Sequence, residues 1–236
     1  FPVCAFFVGL ENLDSAFDLL TSAKSPVTKN DLPQLYTQAG DVMERKGLIS
    51  KAADYALEAL QMGDSLHDIK AQAMAYSDLS NLFWKQAKFD KGIEYGLRSV
   101  ALFKQRGIED MDDSFTLDVM GNSYLSVKDY ANAQQYFKLA LAQSEKYQFY
   151  NNLADIYIAL SQLYTITGDY DNSKVNAWQA IRYSTSLDNN FMLMRSWLCL
   201  AHVQNIPHQP DIPIASLKIC FPAAGKNFRE KFLLSQ

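Results

Sequence analysis

Proline is missing from the whole stretch between Gln34 and Ile206; all seven prolines fall outside it, at Pro2, Pro26, Pro33, Pro207, Pro210, Pro213 and Pro222. A long run of uninterrupted helices requires such a gap, because an interior proline removes a backbone donor and clashes with the preceding turn. Alternating β-branched residues closed by Asn-Gly or Asp-Gly turns are missing too, which excludes a sheet protein. No apolar run reaches the 18 residues of a membrane helix. Lys and Arg total 22 against 26 Asp and Glu, for a net charge of −4, and no basic cluster stands out. A duplex-binding surface needs such a cluster, so nucleic acid is not expected as a partner. Cys4, Cys199 and Cys220 are few, distant and odd in number, so no disulfide framework follows.

Chemistry-bearing motifs are equally scarce. His67, His202 and His208 stand at no ligand spacing with Cys, Asp or Glu. Asp169-Tyr170-Asp171-Asn172 begins like a calcium loop but has Lys174 where glycine is needed and Ala180 where the closing Glu belongs. Glu109, Asp110, Asp112 and Asp113 read as acidic residues at a helix N-terminus. No glycine-rich phosphate loop or nucleophile motif occurs. No cofactor, metal or catalytic residue is therefore assigned, and the chain is not expected to be an enzyme.

What is present is a repeat. Met43, Phe83, Tyr124 and Tyr164 each end an apolar helix face, at steps of 40, 41 and 40 residues. Six residues after each comes Ile49, Phe89, Tyr130 or Tyr170, and three further on a small residue, Ala52, Gly92, Ala133 or Ser173. Seven beyond lies a second small residue, Ala59, Ser99, Ala140 or Ala180, followed by an aliphatic. Ala39-Gly40, Leu79-Ser80, Met120-Gly121 and Leu160-Ser161 precede the anchors, with Tyr36, Tyr76, Leu117 and Tyr157 one turn earlier. Small residues in register allow two helices to cross closely, and large ones fill the space between crossings. Gly92 and Gly96 are expected to pack against Phe83, Trp84 and Phe89. Gly47 and Gly168 fall in turns, Gly63 and Gly107 at helix ends, and Asp31 is the expected N-cap of the first helix.

These columns resemble the tetratricopeptide repeat, and the third copy, Leu117 through Leu141, carries the match most completely. The usual unit is about 34 residues. This one is longer by about six, like the repeats of bacterial sensor and regulator proteins. The resemblance implies an all-α, right-handed superhelical solenoid of antiparallel helix pairs. Residues 33–205 would hold four complete units plus the first helix of a fifth. Residues 1–32 read as a capping helix or partial repeat, and residues 206–236 as a proline-rich cap or linker. The added residues, around 65–73, 108–114 and 147–154, should lengthen helices rather than loops.

In such a superhelix the first helix of each unit lines a concave groove. Two residues before each anchor stand Asp41, Asn81, Asn122, Gln162 and, by extension, His202. One turn earlier stand Thr37, Ser77 and Asp118, with Trp84 and Phe115 alongside. Asn and Gln each offer a donor and an acceptor, so a column of them can pair with an extended peptide backbone. These ten residues are the expected groove. The expected function is a protein-interaction module that binds a peptide or partner helix, with oligomerisation possible. The alternatives are the ligand-sensing region of a bacterial signalling protein whose output domain lies outside this chain, and a structural assembly subunit. The basic clamp that holds chaperone C-termini is missing. The expected compartment is cytoplasmic, or extracytoplasmic if Phe1–Leu10 ends a targeting segment.

Overall fold

The computed structural model describes residues 28–107 and 111–204. Most of the expected N-terminal cap (residues 1–32) and all of the expected C-terminal cap or linker (residues 206–236) lie outside these residues, as do Cys4 and Cys220. Among the described residues there are nine α-helices and no strand. They are α1 (Leu32–Arg45), α2 (Ile49–Leu66), α3 (Ile69–Lys85), α4 (Phe89–Arg106), α5 (Met111–Ser126), α6 (Tyr130–Lys146), α7 (Tyr150–Ile166), α8 (Tyr170–Ser186) and α9 (Asn190–Gln204). Loops of two or three residues join most of them, so the residues that exceed the usual repeat length extend helices.

Consecutive helices pack as antiparallel pairs, and each odd-numbered helix also touches the next odd one. The small columns explain the pairing. Ser80 donates its hydroxyl to the Gly92 carbonyl at 2.7 Å, and Ser173 donates to the Ser161 carbonyl at 2.7 Å. A Cβ on Gly40 would stand 3.5 Å from the Ala52 carbonyl oxygen. Each crossing joins residues twelve apart in the chain, and Ala52, Ala133 and Ser173 are fully buried there. Large side chains fill the intervening layers: Phe137, Ile156, Leu160 and Leu163 form one core between α5, α6 and α7. Met43, Leu79 and Leu82 form another at the N-terminal end.

The turns repeat as strictly as the crossings. Gly47, Ala87, Lys128 and Gly168 all adopt positive φ, between 58° and 81°. His67, Gly107, Gln148 and Asp188 do the same at the other set of turns. A residue in the left-handed region ends a helix by letting the chain reverse, and the following N–H reaches back to the last turn. Leu48, Lys88, Asp129 and Asp169 accordingly donate to the carbonyls of Met43, Phe83, Tyr124 and Tyr164 at 2.8–2.9 Å. The sequence anchors are thus the residues whose carbonyls receive the closing bond.

Three local expectations need correction. Gly63 lies inside α2 rather than at its end, which His67 closes; a Cβ there would meet the Gln72 backbone nitrogen at 3.0 Å, so it is a crossing glycine. Gly92 does lie against the Trp84 backbone and the Ser80 carbonyl, but the atoms nearest Gly96 are those of Met120 and Ser80 rather than the Phe83 and Phe89 rings. Asp31 precedes α1, but its carboxylate accepts from the Thr28 N–H and hydroxyl instead of capping that helix. Asp169, weighed above as part of a failed calcium loop, caps α8 by accepting from the Asn172 N–H at 3.2 Å.

Candidate functional site

The odd helices line one concave face, and on it lies a groove of about 660 Å³ that stretches from α1 to α9. Thr37, Asp41, Ser77, Asn81, Trp84, Phe115, Asp118, Asn122 and Gln162 all line it. His202, the tenth residue of the expected set, is exposed on the last turns of α9 and does not. The wall there is formed about two to three turns earlier, by Arg195 and Phe191.

The polar column is less free than an exposed helix face would be. Asn81 is only 8% exposed and donates its amide to the Glu44 carboxylate at 3.0 Å, across from α3 to α1. Glu44 also pairs with Lys85. Asn122 donates to the Asp118 backbone carbonyl at 3.0 Å and to Asp118 Oδ1 at 3.1 Å. Ser77 accepts from the Thr116 hydroxyl at 2.8 Å and is buried. Gln162 remains exposed, its amide 3.8 Å from Cys199 Sγ. Trp84 is half-buried, with its indole N–H donated to the Ser126 hydroxyl at 2.9 Å, which fixes the ring against α5.

Several groove residues belong to columns of which the sequence named at most one member, Phe115. Nine residues before the anchors lie Met74, Phe115 and Asp155, and Arg195 continues the series on α9. Five before them lie Asp78, Val119 and Ala159. With the columns two and six residues before the anchor, these make one stripe down each odd helix at steps of three and four. The repeat period was the available signal.

The stripe makes the groove acidic. Its lining includes the carboxylates of Asp41, Glu44, Asp78, Asp112, Asp118 and Asp155, against the cations Arg45, Lys85 and Arg195. Three of the acids are neutralised within the molecule: Glu44 by Lys85, Asp112 by Lys70 at 2.6 Å, and Asp155 by Arg195 at 2.5 Å. Among the described residues, no ion pair reaches Asp41, Asp78 or Asp118. Burial pushes the Asp78 carboxyl well above its usual range, and the charges of Asp41, Glu44 and Asp112 add to the effect. Asp118 is raised well above that range by burial and then by Asp155, while Arg195 and the Asn122 amide oppose the shift. Asp41 touches water at the rim, yet the groove walls displace much of its hydration; burial and then Glu44 push it up to about 6. Among the described residues no group of three His, Cys, Asp or Glu side chains converges on a metal site. No helix among them is long and apolar enough to cross a membrane.

Antiparallel helix pairs stacked with one concave face define an α-helical repeat solenoid. The model of the tetratricopeptide repeat matches residues 117–147, the unit whose sequence columns are most complete. That unit is a tetratricopeptide repeat by sequence, and the chain as a whole has the fold of a helical-repeat solenoid. No curated relative matches its sequence. Among solved structures it is similar to BtubC (BKLC) from P. vanneervenii, with 20% identity, a TM-score of 0.68 and 83% of each chain covered. It is similar to aspartyl phosphate phosphatase F from Bacillus subtilis, at 16% identity and a TM-score of 0.70, covering 97% of this chain and 60% of that one. It also resembles a signal-transduction ATPase with a tetratricopeptide repeat sensor from Pyrococcus horikoshii, at 16% identity and a TM-score of 0.63, covering 81% of this chain and 30% of that one. At these identities the likeness is one of fold.

Proposed function

We propose that the chain is a non-catalytic interaction module whose concave groove receives an extended peptide or a partner helix. The observation that carries this reading is the lining of the groove. It combines side-chain amides, carboxylates and half-buried aromatic rings along a continuous channel open to solvent. Aromatic residues that stay partly exposed beside polar groups are characteristic of surfaces that anchor a partner. Trp84 is the expected anchor. Its ring is held by Ser126, so little side-chain freedom remains to be lost on binding. Trp84→Ala should weaken capture of a groove ligand by about 2 kcal/mol or more. Asn122→Ala should weaken it by about 1 kcal/mol, the scale of one hydrogen bond. The test is the affinity of both variants, by calorimetry, for a peptide selected against the wild-type chain. Unchanged affinity in both would end the reading.

A second reading is a ligand-sensing region within a longer signalling protein. The likeness to a solved tetratricopeptide sensor favours it, since this chain spans 30% of that protein's length. On this reading the groove works in the same way, and an output domain responds to its occupancy. A signalling domain encoded in the same reading frame would distinguish the two.

A further inference from the structure

We propose that the occupant of the groove is a cationic peptide segment with two Lys or Arg side chains, one for the Asp41/Asp78 end and one for Asp118. This rests on the groove-binding reading above and specifies its ligand. The groove holds twice as many carboxylates as cations, and the three cations do not serve these three acids. Asp78 accepts no hydrogen bond or ion pair among the described residues. Asp118 is 6% exposed, and its Oδ1 accepts only from the Asn122 amide on its own helix. No hydrogen bond among the described residues reaches its Oδ2, and the residue lines the groove. A carboxylate so enclosed, with no ion pair of its own, either takes up a proton or receives a cation from outside, and an incoming Lys or Arg takes the proton's place. Charge complementarity therefore selects a cation.

The rest of the lining separates a peptide from other cations. The carboxylates do not converge as metal ligands do. A polyamine has no acceptor to offer the amide N–H groups of the column and no apolar side chain to seat on the Trp84 and Phe115 rings. A peptide uses all of them, with backbone on the amides and apolar side chains on the rings. The two stations also set a spacing. Asp41 and Asp78 lie on α1 and α3, and Asp118 lies on α5. Odd helices are direct neighbours, so the stations are one to two helix spacings apart, about 10–20 Å. An extended chain covers that span in about three to six residues.

The test is to pan a random peptide library against the full chain and measure the enriched peptides by fluorescence anisotropy. Wild type is compared with Trp84→Ala, Asp78→Asn and Asp118→Asn, and spermine serves as a competitor. The expected result is enrichment of peptides with two basic residues at that spacing. Their affinity should drop about tenfold or more on either Asp→Asn change, the effect of losing one enclosed charge partner, and should weaken as salt is raised. Peptides that depend on Trp84 but lack basic residues would overturn the cationic assignment and leave the groove reading intact. Spermine binding that depends on both aspartates, with no peptide enriched, would overturn the peptide assignment. Binders indifferent to Trp84→Ala and to both Asp→Asn changes would overturn both readings. Circular dichroism of the variants separates these outcomes from misfolding.

Discussion

The substitution Gly→Ala at two positions of one repeat column should act in opposite directions. Gly40 and Gly121 occupy the same place in units one and three, each inside an odd helix. At both, alanine gains about 1 kcal/mol of helix propensity, because glycine loses more backbone freedom on folding. A Cβ on Gly40 would lie 3.5 Å from the Ala52 oxygen and 3.7 Å from Tyr55 Cβ, which is ordinary contact. Gly40→Ala should therefore stabilise by about 0.5–1 kcal/mol. A Cβ on Gly121 would stand 2.4 Å from Phe137 Cδ1 and 2.5 Å from Cε1. Carbon atoms prefer about 3.5–4.0 Å, so the ring must retreat by about 1 Å. It has nowhere to go: Phe137 is fully buried among Ala133, Ala140, Leu117 and Ile156. Overpacking of this kind costs about 1–3 kcal/mol, and an approach this close belongs near the upper end. Net of propensity, Gly121→Ala should destabilise by about 1–2 kcal/mol. Urea unfolding followed by far-UV circular dichroism measures both variants. Phe137→Leu should soften the effect of Gly121→Ala, so that the double variant loses less than the sum of the singles. Midpoints that move in the same direction for both glycines, or additive losses in the double variant, would refute the packing argument.

Two further predictions concern charge and turns. Asp78 and Asp118 hold protons in the folded chain at pH values where the unfolded chain, with carboxyls near 3.8, has released them. Stability should therefore decline as pH rises from about 4 through the raised folded values, with Asp41 contributing in the same direction near pH 6. The melting temperature should be higher at mildly acidic pH than at neutral pH. Asp78→Asn with Asp118→Asn should raise it at neutral pH and flatten the profile; an unchanged profile in that double variant would contradict the assignment. Ala87 occupies the left-handed region at φ 58° in a turn where units one and four use glycine. Ala87→Gly should stabilise by about 1 kcal/mol by relieving that strain, read as a midpoint shift, whereas a loss of stability would argue against strain at this turn.

The fold was legible because packing imposes residue size at fixed places. Small residues at Ala52, Gly92, Ala133 and Ser173, and aromatic or Met anchors, survive in every unit since each serves the same crossing. The groove was legible only in part. Asp41, Asn81, Asn122 and Gln162 share a size and polarity, and that similarity exposes their column. Met74, Phe115, Asp155 and Arg195 share a column as well, but no chemical character, so similarity between units gives no signal there. Burial was hidden for a different reason. Short polar side chains on a concave surface are enclosed by neighbours from other units, as Ser77 and Asn81 are, and no single helix reveals it. Gly63 was misplaced because glycine marks both helix ends and close crossings, and spacing alone does not separate the two.

Every substantial helix–helix contact joins helices one or two places apart in the chain. Among the described residues no strut ties α1 to α9. The curvature of the concave face is therefore the sum of small angles at successive joints, each free to flex without the consent of the others. Such a stack behaves as a leaf spring: a load at one end is carried through to the other, and slight give at each leaf adds up to a visible change in span. An occupant lying along the whole face would act on all the joints at once and set their common bend.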